Sequence, residues 1–232
     1  MWMSIRANRY PVQDIIRPQH VLVSVFDKTD LDMLVAGFVA VNPNVVFYST
    51  GGIGKRLQEI VSPLNYVPVE QFTGALEMEG GLVKTLHPKV HAGLLGERGN
   101  PEHEWYLREV MRNPTGIPGV FFDALICNLY PFEKIVANGA SPEVARGNID
   151  IGGPTMIMAA AKNFHSVAAV TGPEQYGGFV ENLVPKGGTR LRDRYELAQH
   201  AMRRVANYRD AIARHFRDTP FELVERELDV QV

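Results

Sequence analysis

Short apolar runs alternate with stretches of helical periodicity along this chain, and this alternation limits the folds open to it more than any other feature. Runs of buried-strand character occupy residues 21–26, 45–48, 66–69, 121–127 and 166–170. Apolar residues recur at helical spacing in the segments between them, for example at Leu31, Leu34, Val35 and Phe38. The alternation predicts an α/β fold, a parallel sheet with helices on both faces.

Several local signals predict where helices begin and end. Thr29 and Asp32 have the spacing of a capping box before the first helix. Pro154 suits the first turn of a helix over the alanines that follow, and Asn163 can end it. Residues 70–100 are Gly-rich and are predicted to be irregular, whereas 101–112 are predicted to be helical.

A long helix is predicted over residues 189–216. Its apolar stripe is interpreted as core or subunit-packing surface, and its arginines as a solvated face. The stripe consists of Leu191, Tyr195, Ala198, Met202, Val205, Ile212 and Phe216. A subunit-packing role would make the protein a homodimer.

Composition excludes several classes of protein. A chain of 232 residues that is 45% hydrophobic can bury a sizeable core, and a formal net charge of −2 gives no sign of a nucleic-acid or anionic-membrane partner. No segment approaches the roughly 20 apolar residues of a membrane span. The single cysteine, Cys127, cannot form a disulfide within the chain and is predicted to be buried. We therefore expect a cytoplasmic protein.

The loop Ser49-Thr50-Gly51-Gly52 lies between a predicted strand and a predicted helix. Backbone N–H groups of its glycines, its hydroxyls and the helix N-terminus could bind an anion together. An ordinary glycine turn remains the alternative, and the loop matches neither standard nucleotide fingerprint. Lys28 could reach the same anion from the carboxyl edge of the sheet, or simply be exposed to solvent.

Three further spots carry polar residues of chemical interest. Lys84 lies in the segment Val-Lys-Thr-Leu-His-Pro, where His87 and His91 are four residues apart; Pro88 disfavours a helical His87, so no metal site is predicted. Asp150 precedes Gly152 and Gly153, where it can cap a helix or present a carboxylate beside their N–H groups. Lys162 lies at the other end of that helix, a common place for a solvated charge.

Six segments taken together resemble one known family. They are SVFDKT (24–29), STGG (49–52), VKTLHPKVHAG (83–93), NLYPFE (128–133), NIDIGGPTM (148–156) and AAAKN (159–163). Their identity and order are similar to those of IMP cyclohydrolases, which in most organisms form the N-terminal half of the bifunctional AICAR transformylase/IMP cyclohydrolase. The resemblance covers residues 19–217, so that 1–18 would be an N-terminal extension and 218–232 a C-terminal tail.

The resemblance implies a methylglyoxal-synthase-like fold with a helical C-terminal part. It implies ring closure of 5-formamidoimidazole-4-carboxamide ribotide to IMP with loss of water, without cofactor or metal. A separate formyltransferase would have to supply the substrate. The catalytic residues implied are Lys84, Tyr130, Asp150 and Lys162. Those implied for the 5′-phosphate are Ser24, Lys28, Ser49, Thr50, Gly51 and Gly52, and those for the base are Thr85, Asn128, Ile151, Gly152 and Gly153.

The sequence departs from the family pattern at five positions. Asp30 replaces a glycine, Ile53 a threonine, Gly80 an acidic residue, and Leu82 and Met158 each replace an arginine. The loss of the arginine at Leu82 removes a candidate substrate contact. Two alternatives therefore stay open, a nucleotide-binding module with weak or no catalysis and a relative that acts on a modified ribotide, whereas methylglyoxal synthase itself fits the motifs poorly.

Overall fold

A five-stranded parallel sheet forms the centre of the molecule. The computed structural model describes residues 8–76, 78–79 and 83–228. The strands of the sheet are His20–Ser24 (β2), Val46–Ser49 (β3), Tyr66–Pro68 (β4), Ala124–Cys127 (β5) and Ala168–Val170 (β6), in the order β4-β3-β2-β5-β6. A separate antiparallel pair joins Ile15–Ile16 (β1) to Thr189–Arg190 (β7).

Helices occupy most of the chain between the strands. They are Leu31–Val41 (α1), Gly51–Ile60 (α2), Val69–Thr73 (α3), Pro88–Leu95 (α4), Pro101–Trp105 (α5), Phe132–Ala137 (α6), Pro142–Gly147 (α7), Gly152–Lys162 (α8), Tyr176–Lys186 (α9), Leu191–Asp218 (α10) and Phe221–Glu227 (α11). A π-helical turn, Tyr106–Val110, extends α5. Among the described residues, none of the helices combines the length and apolar character that crossing a membrane requires.

The sheet buries both of its faces, which is why its strands read as continuous apolar runs. Val21 and Val23 of β2 pack with α1, α2 and α9 on one face. Leu22, between them, packs with α4, α8 and α10 on the other. The predicted fold class is confirmed: an α/β protein with a parallel sheet, helices on both faces and a helical C-terminal part.

The structure corrects two predictions about helices. The predicted capping box is absent because Asp30, not Thr29, is the N-cap of α1, and its backbone is left-handed at φ 56° without a side-chain cap bond. Asp32 instead pairs with Arg56 of α2. The predicted irregular region 70–100 contains α4, which begins at Pro88 and buries Val90 and Leu94 against the sheet.

The interpretation of the α10 arginines as a solvated face is wrong for Arg194, which is fully buried. Its guanidinium donates hydrogen bonds to carbonyls of residues from three separate parts of the chain, with Nη2 2.7 Å from the oxygen of Gln13 and 3.0 Å from that of His165. Other carbonyls that it reaches belong to Asp14, Phe164 and Thr189. Arg194 thereby links the segment before β1 and the strand β7 to the loop between α8 and β6.

The apolar stripe predicted on α10 is divided between core and surface. Ala198 and Val205 are buried against α8 and the sheet. Tyr195, Met202 and Phe216 are exposed. The core face of α10 also includes small and aromatic residues that the stripe omitted, namely Ala201, Tyr208 and Ala211.

Candidate functional site

The order of strands creates a switch point between β2 and β5. From β2 the chain moves outward through β3 to β4, and from β5 it moves in the opposite direction to β6. Ligands of open α/β sheets bind outside the carboxyl ends of the strands at such a point. Asn128, directly after β5, joins the two sides because its Oδ1 accepts from the N–H groups of Phe26 (2.7 Å) and Asp27 (2.9 Å).

The STGG loop lies at the same edge, after β3. Thr50 is the N-cap of α2 and its side chain makes no cap bond, so that its hydroxyl is not used by the helix. A Cβ added to Gly51 or Gly52 would meet no atom within 4 Å, so open space adjoins the first backbone N–H groups of α2. Ser49 differs from the prediction, because its buried hydroxyl donates to the carbonyl of Val23 (2.7 Å).

Asp150 lies at the N-terminus of α8, on the β5 side of the switch point. Its Oδ1 accepts from the N–H of Gly153 (2.8 Å), so the carboxylate does cap the helix. Burial raises the pKa of Asp150, and hydrogen bonds from the backbone of Gly153, Tyr130 and Gly152 oppose this rise. The residue is therefore both a cap and a partly desolvated carboxylate.

Four residues predicted for the site lie around Asp150 and the N-terminus of α8. The Tyr130 backbone lowers the pKa of Asp150, and the Tyr130 ring, which is 45% exposed, lies 5.6 Å from that of Phe26. Thr85 is buried against Gly152, where an added Cβ would lie 2.7 Å from the Thr85 Oγ1. A Cβ on Gly153 would lie 2.5 Å from the Asp150 Oδ2. Both glycines thus allow a close approach that larger residues would block.

The two predicted catalytic lysines lie in different places. Lys84 is half-buried beside Thr85 and follows Val83, a β-branched residue with a left-handed backbone at φ 66°. Lys162 is exposed at the last residue of α8. Ten residue steps separate it from Gly152, about 15 Å along the helix axis. Asp150, Tyr130 and Thr85 thus lie at one end of α8, with Lys84 adjacent to Thr85 in sequence, and Lys162 lies at the other end.

A cavity of about 1190 Å³ opens at this edge of the sheet. The loops after β2, β5 and β6 line it, together with α9 and α10. Of the residues predicted for the site it includes Lys28, Asn128 and Tyr130. It also includes His200, Arg203 and Tyr208 of α10, which sequence reasoning assigned no role. Helical spacing places such residues on one face of α10 but does not reveal that this face borders the strand ends.

The two histidines that are four residues apart have other contacts in the structure. His87 is the N-cap of α4, and its Nδ1 accepts from the N–H of Lys89 (3.1 Å), so that this ring serves the helix. His91 interacts with the backbone of Thr85. Within the residues that the structure describes, no three His, Cys, Asp or Glu side chains are grouped to hold a metal ion.

Comparison with known proteins shows what this chain is similar to. It is 43% identical to the bifunctional purine biosynthesis protein PurH of Mycobacterium marinum over 206 residues, and 42% identical to that of Rhodospirillum rubrum over 212 residues. These matches cover 88% and 89% of this chain. The chain is a relative of PurH. It spans 37% and 38% of the length of these two proteins.

Two further comparisons, with a family model and with a solved structure, agree with the similarity to PurH. Residues 160–232 match the family described as AICARFT/IMPCHase bienzyme. The crystal structure of ForH superposes with a TM-score of 0.65 and 26% identity, covering 86% of this chain and 98% of the ForH chain. The similarity to ForH therefore extends over nearly the whole of that protein.

The departures from the family pattern now have structural settings in this PurH relative. Asp30 occupies a left-handed backbone, which explains why a glycine suits that position. The Ile53 side chain is buried in the hydrophobic core beneath α2. Met158 is 40% exposed on α8. Gly80 and Leu82 lie outside the described residues.

Proposed function

We propose that this PurH relative is an enzyme that closes the ring of 5-formamidoimidazole-4-carboxamide ribotide to give IMP. The proposal rests on the partly desolvated Asp150 carboxylate, which caps α8 at a sheet switch point with Tyr130 nearby and Thr85 packed against Gly152. The similarity to PurH over 88% of the chain supports it.

The spacing of the strands suits a substrate of this length. The carboxyl ends of β3 and β5 are two strand spacings apart, about 10 Å. A ribotide could therefore place its phosphate at the STGG loop and its imidazole beside Asp150. Ser24, the last residue of β2, and Lys28, in the loop after it, lie between the two and would contact the phosphate, together with backbone N–H groups of 49–52. Backbone groups near Asn128, Ile151, Gly152 and Gly153 would hold the base.

The chemistry requires positioning and proton movement. The carboxamide nitrogen attacks the formyl carbon of the same molecule, and water then leaves, so that a fixed reactive rotamer supplies much of the rate. We assign Asp150 the proton that the attacking nitrogen loses, because burial makes its carboxylate a stronger base. Lys84 would stabilise the oxygen that gains negative charge and later departs as water. Tyr130 would orient the carboxamide.

The direct test is turnover. We expect the purified chain to convert the formylated ribotide to IMP, followed by ultraviolet absorbance, faster than the spontaneous reaction. Asp150→Asn keeps an oxygen for the Gly153 N–H but removes the base, and should lower kcat by about 10²–10⁴-fold. Glu222→Gln, on the exposed face of α11, is the control and should leave kcat unchanged. A wild-type rate equal to the spontaneous one, with measurable IMP binding, would instead support a nucleotide-binding module.

Lys162 needs a test of its own because of its distance from Asp150. If it takes part in proton transfer, Lys162→Ala should lose turnover far more than it loses IMP affinity. Unchanged turnover would remove Lys162 from the mechanism and leave it as a charge at the end of α8. Binding by isothermal titration and turnover by absorbance separate the two outcomes.

A modified ribotide is the second candidate substrate. Leu82 and Met158 replace arginines of the family pattern, and each change removes a guanidinium that could bind a substrate oxygen. Competition between the formylated ribotide and ring-modified analogues would identify the preferred ligand. We propose a homodimer in the cytoplasm as the working form, with a formyltransferase as the source of the formylated ribotide.

A further inference from the structure

Tyr208 of α10 makes a direct contact with the proposed site that neither the motifs nor the apolar stripe indicated. Its Oη accepts a hydrogen bond from the backbone N–H of Asp150 at 2.8 Å, across 58 residues of sequence. Tyr208 also lines the cavity at the carboxyl edge of the sheet, as Tyr130 does. The contact brings the C-terminal helix to the carboxylate that the proposed function uses as a base.

Packing holds the Tyr208 ring in place. The side chain is 7% exposed and belongs to a small core cluster with Phe132, Ala145 and Ala211. The Phe132 ring lies edge-on to it, with ring centroids 6.2 Å apart. Because this cluster fixes the ring, the hydroxyl is a rigid anchor for the first turn of α8.

The surroundings of the Tyr208 hydroxyl, which include Asp150 and Tyr130, keep it protonated. Burial, together with the nearby Asp150 and Tyr130, raises the pKa of Tyr208 to about 12. The oxygen therefore accepts from Asp150 at neutral pH while its own hydrogen stays bound. A hydroxyl held in this way fixes the backbone from which the Asp150 carboxylate extends.

We propose that Tyr208 is a positioning residue, which holds the Asp150 carboxylate in its buried orientation through the Asp150 N–H and thereby makes α10 part of the active site. This inference rests on the proposed function only for its effect on turnover. Its effect on the orientation and titration of Asp150 does not require the reaction.

Tyr208→Phe tests the proposal because it keeps the ring and removes only the hydroxyl. We expect kcat to fall about tenfold, the value of one good hydrogen bond, with KM changed less than twofold. The acid limb of the pH–rate profile should move to lower pH, because a loosened carboxylate becomes better solvated and its pKa returns toward the ordinary value. A residue with a merely structural role would lower the unfolding midpoint without moving this limb.

Tyr48→Phe is the matched control. Tyr48 is also a buried tyrosine, and its hydroxyl bonds the His20 Nδ1 at 3.1 Å, away from Asp150. This variant should leave kcat and the acid limb unchanged. If Tyr208→Phe is folded and both its kcat and its acid limb match those of the wild type, the proposal is overturned.

A second measurement keeps this inference separate from the proposed function. The carboxyl carbon of Asp150 can be titrated by NMR in the wild type and in Tyr208→Phe, with no substrate present. If the wild type has no turnover but the Asp150 titration moves to lower pH in the variant, the proposed reaction fails while the positioning role stands. An identical Asp150 titration in both proteins would overturn the positioning role.

Discussion

At the scale of single residues, Asp150 shows how one side chain can serve the helix and the site together. Its Oδ1 caps α8 through Gly153. Its burial nevertheless disfavours the ionised form and raises its pKa. A carboxylate with this environment contributes less to folding when charged than when protonated, so stability and the proposed chemistry have opposite requirements at this position.

The raised pKa of Asp150 predicts a pH dependence of stability. The folded state keeps the proton to a higher pH than the unfolded chain, whose carboxyl ionises near its ordinary value. The favourable contribution is complete below that value and is lost as the pH rises through the folded pKa. Asp150→Asn cannot titrate, so the free energy of unfolding of the variant should increase relative to that of the wild type as the pH rises above the ordinary carboxyl pKa of about 4.

Urea unfolding of the wild type and Asp150→Asn at a series of pH values measures the difference in their free energy of unfolding. The contributions of the other titrating groups are the same in both proteins and cancel in this difference. A difference that stays constant with pH would contradict the raised pKa. Asp150→Ala provides the comparison for the cap itself. It also loses the hydrogen bond to Gly153 and should be about 1 kcal/mol less stable than Asp150→Asn at every pH.

At the scale of elements, the first helix begins from a strained backbone. Asp30 has φ 56°, a conformation that costs a residue with a side chain more than it costs glycine. Asp30→Gly should therefore stabilise the protein by about 0.5 kcal/mol, after allowance for the greater freedom of glycine in the unfolded chain. Thermal and urea unfolding would measure the gain.

Ala36→Gly is the control for this prediction. Ala36 is exposed within the same helix, where glycine has no conformational advantage. The change should destabilise the protein by about 1 kcal/mol. Equal destabilisation by both glycines would show that Asp30 is not strained.

The elements also show what the sequence could and could not predict. All five strands of the sheet were predicted, because parallel strands that are buried on both faces leave clear apolar runs. Helix α9 was missed because Gly177, Gly178 and Pro185 interrupt it, although Tyr176, Phe179 and Leu183 have the spacing of a buried face. Tertiary packing outweighed the local propensity there.

The residues of the candidate site that follow strand ends could be predicted from the sequence. The contacts that depend on how helices pack could not. The STGG loop and Lys28 were expected at one edge of the sheet because ligands of parallel sheets bind at the strand ends, and Asn128 was implied by the family resemblance. The contact between Tyr208 and Asp150 depends on how α10 packs over α8, which no local pattern encodes. The hydrogen bond from the Ser49 hydroxyl to the Val23 carbonyl likewise follows from strand pairing, because Val23 of β2 is the neighbour of Ser49 in register.

At the scale of the whole molecule, one buried guanidinium joins several segments. Arg194 bonds carbonyls on the segment before β1, on the loop after α8 and on β7. Arg194→Met keeps the length of the side chain but leaves these carbonyls without their donor. The free energy of unfolding should fall by about 3 kcal/mol or more, since several buried acceptors are left unsatisfied together.

Arg192→Met is the control for the Arg194 prediction. Arg192 lies two residues away on α10, is exposed, and pairs with Glu196. Its loss should cost about 0.3–0.5 kcal/mol, typical of an exposed helical pair. Urea unfolding measures the free energy of unfolding of both variants. If both lose a similar small amount, the hydrogen bonds of Arg194 do not hold the N-terminal segment in place.

The burial of Cys127 in β5, finally, gives this molecule a practical use in spectroscopy. The chain has one cysteine, its side chain is packed below the sheet edge, and burial raises its pKa well above the ordinary value. Thiol-directed dyes and spin labels should therefore not react with Cys127 in the native protein. A cysteine introduced at Thr155, on the exposed side of α8, would be the sole reactive thiol and could report on ligand arrival without removal of any native residue from the core.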